Sequence, residues 1–282
     1  MVRQKHRRGY STALLIALLS LSPLLGVGKV SSSSTGAREA GPAGVENRAS
    51  VFAGRKRLSA STILRRMRAR LQTIRTYQAT GAGKNIYSGD ERLRGQVKFA
   101  LYFARPRSMR LEWIIKDEAD KNILWSNGEK IGINVNTRGL DKAKDLKGGL
   151  STASVVSSNI PFLIANLLIQ DDSKVDWVVS LKQLRLHKDE VIDGEDCYVV
   201  SGVYSTDPLM SLKLWVGKKD YLLRRYEKRL QDSQENGGFT SLVEETYSNI
   251  RVDAEIPRSV FDGQPPDILK EQESTATLST SR

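Results

Sequence analysis

Residues 96–113 read QVKFALYFARPRSMRLEW, and this stretch has the pattern of two adjoining β-strands. In its first half, large apolar side chains occupy every second position: Val97, Phe99, Leu101 and Phe103. The segment 105–108 interrupts this alternation, which resumes at Leu111 and Trp113. A repeat of two residues places such side chains on one face of a sheet. The sequence therefore predicts a hairpin with one strongly apolar face, and that face requires cover.

Similar segments occur over most of the chain. Beyond the hairpin, strands are predicted at 76–86, 122–126, 130–136, 175–181, 183–187, 196–204, 210–216, 221–230 and 240–252. Asn127-Gly128, between two of them, is a strong signal for a tight hairpin turn, whereas the Lys/Asp/Gly-rich stretch 140–149 predicts a loop. Because short turns join the strands and no strand–helix–strand alternation occurs, the predicted fold class is mainly β (α+β) with antiparallel neighbours.

Two segments have the pattern of helices. In 61–73 an apolar stripe is spaced for one helix face (Ile63, Met67, Leu71 and Ile74), and Ser59 or Ser61 is suited to cap it. Four arginines (65, 66, 68 and 70) lie off the stripe. They are interpreted either as a solvated face of the helix or as a surface that docks onto a membrane. The second segment, 151–169, contains PFLIANLLI, which is apolar almost all round. A helix of that kind is buried or binds something.

The N-terminal segment of the chain predicts export. Residues 1–28 combine a basic start, an apolar core and small residues before Gly28, which is the pattern of a cleaved secretory signal peptide. A retained membrane anchor is the alternative, although the apolar core is short for a membrane span. We predict a flexible linker at 29–58, one domain at 59–266 and a disordered tail at 267–282. The predicted location is outside the cytoplasm, and the resemblance described below implies the periplasm.

Charge and cysteine content restrict the partners. The whole chain carries a net charge of +12; residues 1–28 contribute four Lys/Arg and no acidic residue, which leaves +8. That excess favours an anionic membrane surface or an acidic partner, and no nucleic-acid-binding motif is present. The single Cys197 cannot form an internal disulfide and is interpreted as a small buried apolar residue.

Catalytic and metal-binding patterns are missing from the sequence. Outside the predicted signal peptide, His187 is the only histidine, and it is interpreted as an exposed residue at a strand end. There is no nucleophile elbow and no ligand spacing for zinc or calcium. The sequence therefore predicts a protein that is not an enzyme and that uses neither a cofactor nor a metal.

Four motifs, in this order, resemble those of the LolA-like periplasmic carriers, a family related in fold to LolB and to the sensor domain of RseB. They are FARP…MRLEW (103–113), ILWSNGEK (123–130), NIPFLIA (159–165) and Phe261 followed by Pro265-Pro266. Together they cover about residues 61–266, nearly the whole predicted domain.

The resemblance implies a curved, unclosed antiparallel β-barrel whose concave apolar face is covered by a helical lid. By this resemblance the lipid cavity is lined by Phe99, Leu101, Phe103, Leu111, Trp113, Trp125, Ile131 and Ile133. The lid residues are Ile63, Met67, Leu71, Phe162, Leu163 and Leu167, and Arg105 latches the lid through hydrogen bonds.

The implied function is a monomeric carrier that binds the acyl chains of a lipoprotein or another lipid. It would take them from an inner-membrane donor to an outer-membrane acceptor. The alternative is an envelope sensor or regulatory interaction module of the same fold.

Overall fold

A computed structural model describes residues 58–88, 94–118, 121–135, 138–140, 143–169, 181–205, 207–231 and 240–263. The predicted signal peptide, the tail 267–282 and all but the last residue of the linker lie outside these ranges. So does the predicted strand 175–181, except for Leu181. Among the described residues, no helix is both long and apolar enough to cross a membrane.

The first helix, α1 (Ala60–Thr73), forms where the apolar stripe predicts it. Of the two candidate caps, Ser59 is the one used, and its side chain accepts a hydrogen bond from the backbone N–H of Thr62 at 3.2 Å. This bond satisfies one of the N–H groups that a helix leaves unpaired in its first turn. The stripe residues Ile63, Met67, Leu71 and Ile74 are all buried.

The strands follow the predicted order with small shifts at their ends. They are β1 (Thr76–Ser88), β2 (Arg94–Ala104), β3 (Ser108–Ile115), β4 (Lys121–Asn127), β5 (Ile131–Val135), β6 (Arg138–Leu140), β7 (Lys182–Leu186), β8 (Glu190–Ile192), β9 (Glu195–Val203), β10 (Met210–Gly217), β11 (Leu223–Gln231) and β12 (Thr240–Val252). The sequence did not predict β6 and β8, which have three residues each, because so short a segment shows no alternation.

All the strands belong to one antiparallel sheet in the order β6-β5-β4-β3-β2-β1-β12-β11-β10-β9-β7, with β8 also paired to β9. In the described part of the chain the end strands β6 and β7 do not pair with each other, so the sheet is unclosed. A flat sheet of this size would be roughly 50 Å wide, yet residues from β2, β5, β9 and β10 share one hydrophobic core with α1. The sheet must therefore curve around its helices, and this matches the predicted half-barrel.

The second helical segment is different from the prediction. Instead of one segment at 151–169 there are two helices, α2 (Leu146–Val156) and α3 (Leu163–Leu168). The break between them contains Ser158 and Asn159, both with positive φ. The predicted loop 140–149 is also partly wrong, because the Asp145 side chain accepts a hydrogen bond from Gly148 N at 2.7 Å and α2 begins there.

Gly149, which favoured a loop in the sequence, has a packing role inside α2. A Cβ atom at this position would lie 2.6 Å from Cδ1 of Leu124 on β4. The glycine therefore allows the helix backbone to approach the sheet closely.

The residues after β12 pack against the face of the sheet opposite the helices. A short 3-10 helix (Arg258–Phe261) buries Phe261 against Ala100 and Tyr102 of β2. On the same outer face, Arg110 and Glu112 form a fully buried ion pair, and Lys121 contacts the second oxygen of Glu112 at 2.7 Å. The helices cover the inner face and the C-terminal segment covers part of the outer face.

Candidate functional site

The inner face of the sheet brings together most of the predicted cavity residues. Six of them are buried in the same core as the helices: Phe99, Leu101, Phe103, Leu111, Trp113 and Ile133. Ile131 lies at the margin of this core and is only partly buried. We call the inner-face residues of this core the concave face.

Trp125 does not belong to the concave face, and its assignment to the cavity is wrong. In β4 the buried positions are Asn122, Leu124 and Ser126, so Leu124 is the apolar residue that faces the core. Trp125 lies on the outer face, where a Cβ atom on Gly132 would be 2.5 Å from its indole nitrogen. The error has a simple cause: Leu124 and Trp125 are adjacent and both apolar, and the alternation alone does not say which of the two faces inward.

Helix α1 covers the concave face through the predicted residues Ile63, Met67 and Leu71, which are fully or almost fully buried. At its C-terminal end, Arg105 reaches across from the turn after β2. Its Nε donates to the carbonyl oxygen of Ile74 at 2.8 Å, and a terminal nitrogen donates to that of Leu71 at 2.9 Å. Carbonyl groups in the last turn of a helix have no partner within the helix, so one guanidinium satisfies two of them.

Two further polar contacts hold α1 along its exposed side. Arg66 donates to the hydroxyl of Tyr221 at 2.5 Å, and Arg70 forms a salt bridge with Asp253 at 3.3 Å. Two of the four arginines off the apolar stripe therefore attach the helix to the turn before β11 and to the residue that follows β12. The contacts of α1 with the sheet are apolar underneath and polar at the edge.

Phe162 fills the middle of the concave face. Its ring lies 5.4 Å from that of Phe99 in an edge-on arrangement and 5.7 Å from that of Trp113. The residue precedes α3 with φ 48° and ψ 57°, the left-handed region that non-glycine residues rarely adopt. The packing of the ring thus holds a backbone conformation that is itself unfavourable. The predicted lid residues Leu163 and Leu167, which follow it in α3, are also buried in this core.

Glu245 is a buried carboxylate on the concave face that sequence reasoning missed. One oxygen, Oε2, accepts hydrogen bonds from the backbone N–H of Leu163 at 2.9 Å and from the hydroxyl of Tyr247. A signal was present in the sequence, because the two-residue repeat of β12 puts Glu245 in phase with Val243 and Tyr247. The sheet therefore holds the N-terminus of α3 through an acidic side chain in a mainly apolar core.

Burial raises the pKa of Glu245 from 4.5 to about 7, although the hydrogen bonds from Tyr247 and Leu163 oppose this shift. The positive charge of Lys228 on β11 also opposes the shift. An acid whose pKa is higher in the folded state stabilises the fold fully below about pH 4.5, and this contribution is lost as pH rises through 7.

We therefore expect the free energy of unfolding to fall by roughly 2 kcal/mol between about pH 5 and about pH 8. Urea denaturation at several pH values measures this change. Glu245→Gln keeps an acceptor without the titration and should lack this part of the decrease. Equal pH dependence in the wild type and the variant would contradict the assignment.

The outer face has a separate groove of about 460 Å³. It is lined in part by Arg185, His187, Ser201, Lys213 and Arg229. A ring nitrogen (Nε2) of His187 lies 2.7 Å from the hydroxyl oxygen of Ser201, so His187 is half-buried and partnered rather than exposed as predicted. Ser201 lies within β9, paired with residues of β7 and β10, and not on the sharp turn that exposes a nucleophilic serine.

The remaining chemistry is sparse. Cys197 is buried on the outer face beside Val199 and Trp215, and burial raises the pKa of its thiol to about 11. A thiol of this kind is mostly protonated near neutral pH and is a weak nucleophile. Within the described ranges, no group of three or more His, Cys, Asp and Glu side chains is arranged to hold a metal ion.

The chain folds as an unclosed antiparallel half-barrel. No protein-family model matches it, and no curated protein matches it. The solved structures similar to it include the Mycobacterium tuberculosis lipoprotein LppX, with 13% identity and a TM-score of 0.42, over 72% of this chain and 98% of LppX.

Two other similar structures are the MucA/MucB complex of Pseudomonas aeruginosa and a candidate outer membrane lipoprotein-sorting protein domain from Vibrio parahaemolyticus. The first has 12% identity and a TM-score of 0.39, over 73% of this chain and 61% of the other. The second has 12% identity and a TM-score of 0.31, over 72% of this chain and 95% of the other. Similarity at this level does not assign a function.

Proposed function

We propose that this protein is a non-enzymatic periplasmic carrier. It binds the acyl chains of a lipoprotein or another lipid between the concave face and the helices, and moves them toward the outer membrane. The observation that carries the proposal is the position of Phe162. A side chain from a lid segment occupies an aromatic site on the concave face that an acyl chain could fill in its place.

The energetics of exchange support this proposal. Burial of an acyl chain is worth about 0.8 kcal/mol per methylene group, so a long chain can offset the loss of the contacts that Phe162 makes. The concave face is apolar over several strands, and its cover comes from α1, from α3 and from the residues just before α3, including Phe162. An incoming lipid would therefore replace lid contacts and leave the hydrogen bonds between strands intact.

The attachment of α1 suits a lid that opens. Its polar contacts with the sheet are made by a few side chains at the edge, above all the two bonds of Arg105. In this proposal Arg105 is the latch, and Ile63, Met67, Leu71, Phe162, Leu163 and Leu167 are the lid. Donor and acceptor proteins at the two membranes would then act by shifting the lid between closed and open positions.

Native mass spectrometry of the full chain, purified from the periplasm of a Gram-negative host, tests the carrier function. We expect a bound lipid or lipidated peptide in the wild type. Phe103→Glu, which puts a charge on the concave face, should abolish that binding.

Gln96→Glu is the matched control, because Gln96 lies on the same strand with its side chain exposed, and it should keep the cargo. A wild-type protein that carries no lipid and binds no hydrophobic probe would overturn the proposal, whether or not Phe103→Glu folds.

A second candidate function is an envelope sensor or regulatory module that binds a protein partner. The outer groove favours it, because three basic side chains there, those of Arg185, Lys213 and Arg229, suit an acidic segment of a partner. Such a segment would compete with Glu190, which contacts Lys213, and with Glu227, which contacts Arg229. Capture of one acidic partner that is lost in Arg185→Glu but unaffected by lipid would support this candidate over the carrier.

A further inference from the structure

The concave face contains one acidic group in an apolar surrounding, and its hydrogen bonds come partly from the lid. Glu245 is fully buried, and its Oε2 accepts a bond from the backbone N–H of Leu163 at the start of α3. Its other oxygen, Oε1, is buried without a well-aligned donor among the described residues, and the backbone N–H of Phe162 is a further donor that acts on the carboxyl group. The carboxyl group therefore has unused accepting capacity in the closed form, and it loses a donor if α3 moves.

A lipid that enters the concave face has to take the place of Phe162, the residue immediately before Leu163. The backbone N–H of Leu163 would move away with that side chain. Glu245 would then face the ligand, and a hydrocarbon offers it no hydrogen bond. Because buried polar groups are costly when unpaired, the site favours a ligand that brings its own donor.

The neighbouring side chains indicate what kind of donor fits. Tyr247 lies on the same face of β12, and its hydroxyl accepts a hydrogen bond from the backbone N–H of Ile164 at 3.3 Å. This acceptor, too, loses its donor if α3 moves. Lys228, on β11, is close enough for its charge to act on Glu245, while burial lowers the pKa of its own amine. A neutral N–H or O–H group fits this environment better than a second cation.

We propose that Glu245 and Tyr247 form a recognition site for a lipid with a neutral hydrogen-bond donor, an amide or a hydroxyl, next to its acyl chain. This inference rests on the proposed carrier function and narrows its ligand class. The two residues are specificity-determining: the acyl chain replaces Phe162, and the polar group of the lipid replaces the backbone donors of α3.

The test compares palmitamide with methyl palmitate, which share one acyl chain and differ in the presence of N–H donors. Their affinities are measured by displacement of a fluorescent fatty-acid probe from the full chain. We expect palmitamide to bind at least about tenfold more tightly than methyl palmitate. The ester has no N–H group, so it cannot donate a hydrogen bond to the buried carboxyl group of Glu245. Glu245→Leu should remove this preference, so that the variant binds the two lipids with equal affinity.

Glu244→Gln is the matched control, because Glu244 precedes Glu245 on the same strand and pairs with Lys84 and Arg225 on the outer face. It should keep the preference. Equal affinities of the wild type for the two lipids, or a preference that survives in Glu245→Leu, would overturn the inference but not the carrier function. Failure to bind either lipid would overturn the carrier function and the inference with it. If Glu245→Leu does not fold, the wild-type ratio still decides.

Discussion

Phe162→Ala is expected to destabilise the protein and at the same time to make it bind hydrophobic probes more strongly. Removal of a buried phenylalanine ring costs about 3–5 kcal/mol in unfolding free energy, and Phe162 is only 1% exposed. The lost ring leaves an apolar space lined by Phe99 and Trp113. Because an apolar cavity of this kind accepts apolar ligands, probe binding should rise as stability falls.

Phe261→Ala is the matched control for this prediction. Phe261 is also buried, at 4% exposure, but it packs against Ala100 and Tyr102 on the outer face. Its loss should destabilise the protein by a similar amount without a gain in probe binding. Urea denaturation and probe fluorescence measure the two quantities separately. Equal probe binding by the two variants would show that the site of Phe162 has no special access to ligand.

Phe162→Gly provides an internal check on the backbone. Glycine adopts positive φ at little cost, whereas a non-glycine residue in this region is strained by about 1–3 kcal/mol. Both variants lose the same ring, so the glycine variant should be about as stable as the alanine variant, or more stable. A clearly less stable glycine variant would mean that the left-handed conformation of Phe162 carries little strain.

Arg105→Ala is expected to release the C-terminal end of α1. The side chain satisfies the carbonyl groups of Leu71 and Ile74, and hydrogen bonds from a charged donor are worth about 1.5–3 kcal/mol each. Arg105 is exposed, so water compensates for part of this loss. We expect the free energy needed to open the C-terminal end of α1 to fall by about 2–3 kcal/mol. This corresponds to an increase of about 30- to 150-fold in the equilibrium constant for opening.

Hydrogen exchange of the peptide that contains α1, followed by mass spectrometry, measures this opening. Arg107→Ala is the control, since Arg107 is an exposed arginine in the same turn. Arg105→Lys should restore little, because one ammonium group lacks the two-pronged geometry that meets both carbonyl oxygens. Unchanged exchange in Arg105→Ala would contradict the role of Arg105 as a latch.

Much of the fold was predictable because its signals are local. The apolar stripe and Ser59 define α1, and β12 (Thr240–Val252) has the bounds that its alternation predicts. Most of the residues that were predicted for the cavity and the lid are buried in one core, because two-residue and helical repeats determine which side chains share a face. Resemblance to a family, rather than any repeat, pointed to Arg105.

The failures occurred where a local pattern has more than one solution. At Leu124 and Trp125 two apolar neighbours compete for one face, and contact with Gly132 resolves the choice. In α2, Gly149 favoured a loop until its contact with Leu124 gave it a packing role. In both places the deciding residue lies on a different element from the residue that it constrains.

The sequence by itself determined the longer strands, the first helix and the apolar face, because propensity and periodicity act within a few residues. Only the tertiary structure decided what occupies that face. The bond of Glu245 to Leu163 joins residues 82 positions apart, and that of Arg105 to Ile74 joins residues 31 positions apart. Such contacts form only when the sheet curves and the helices pack onto it. No local sequence pattern encodes that packing.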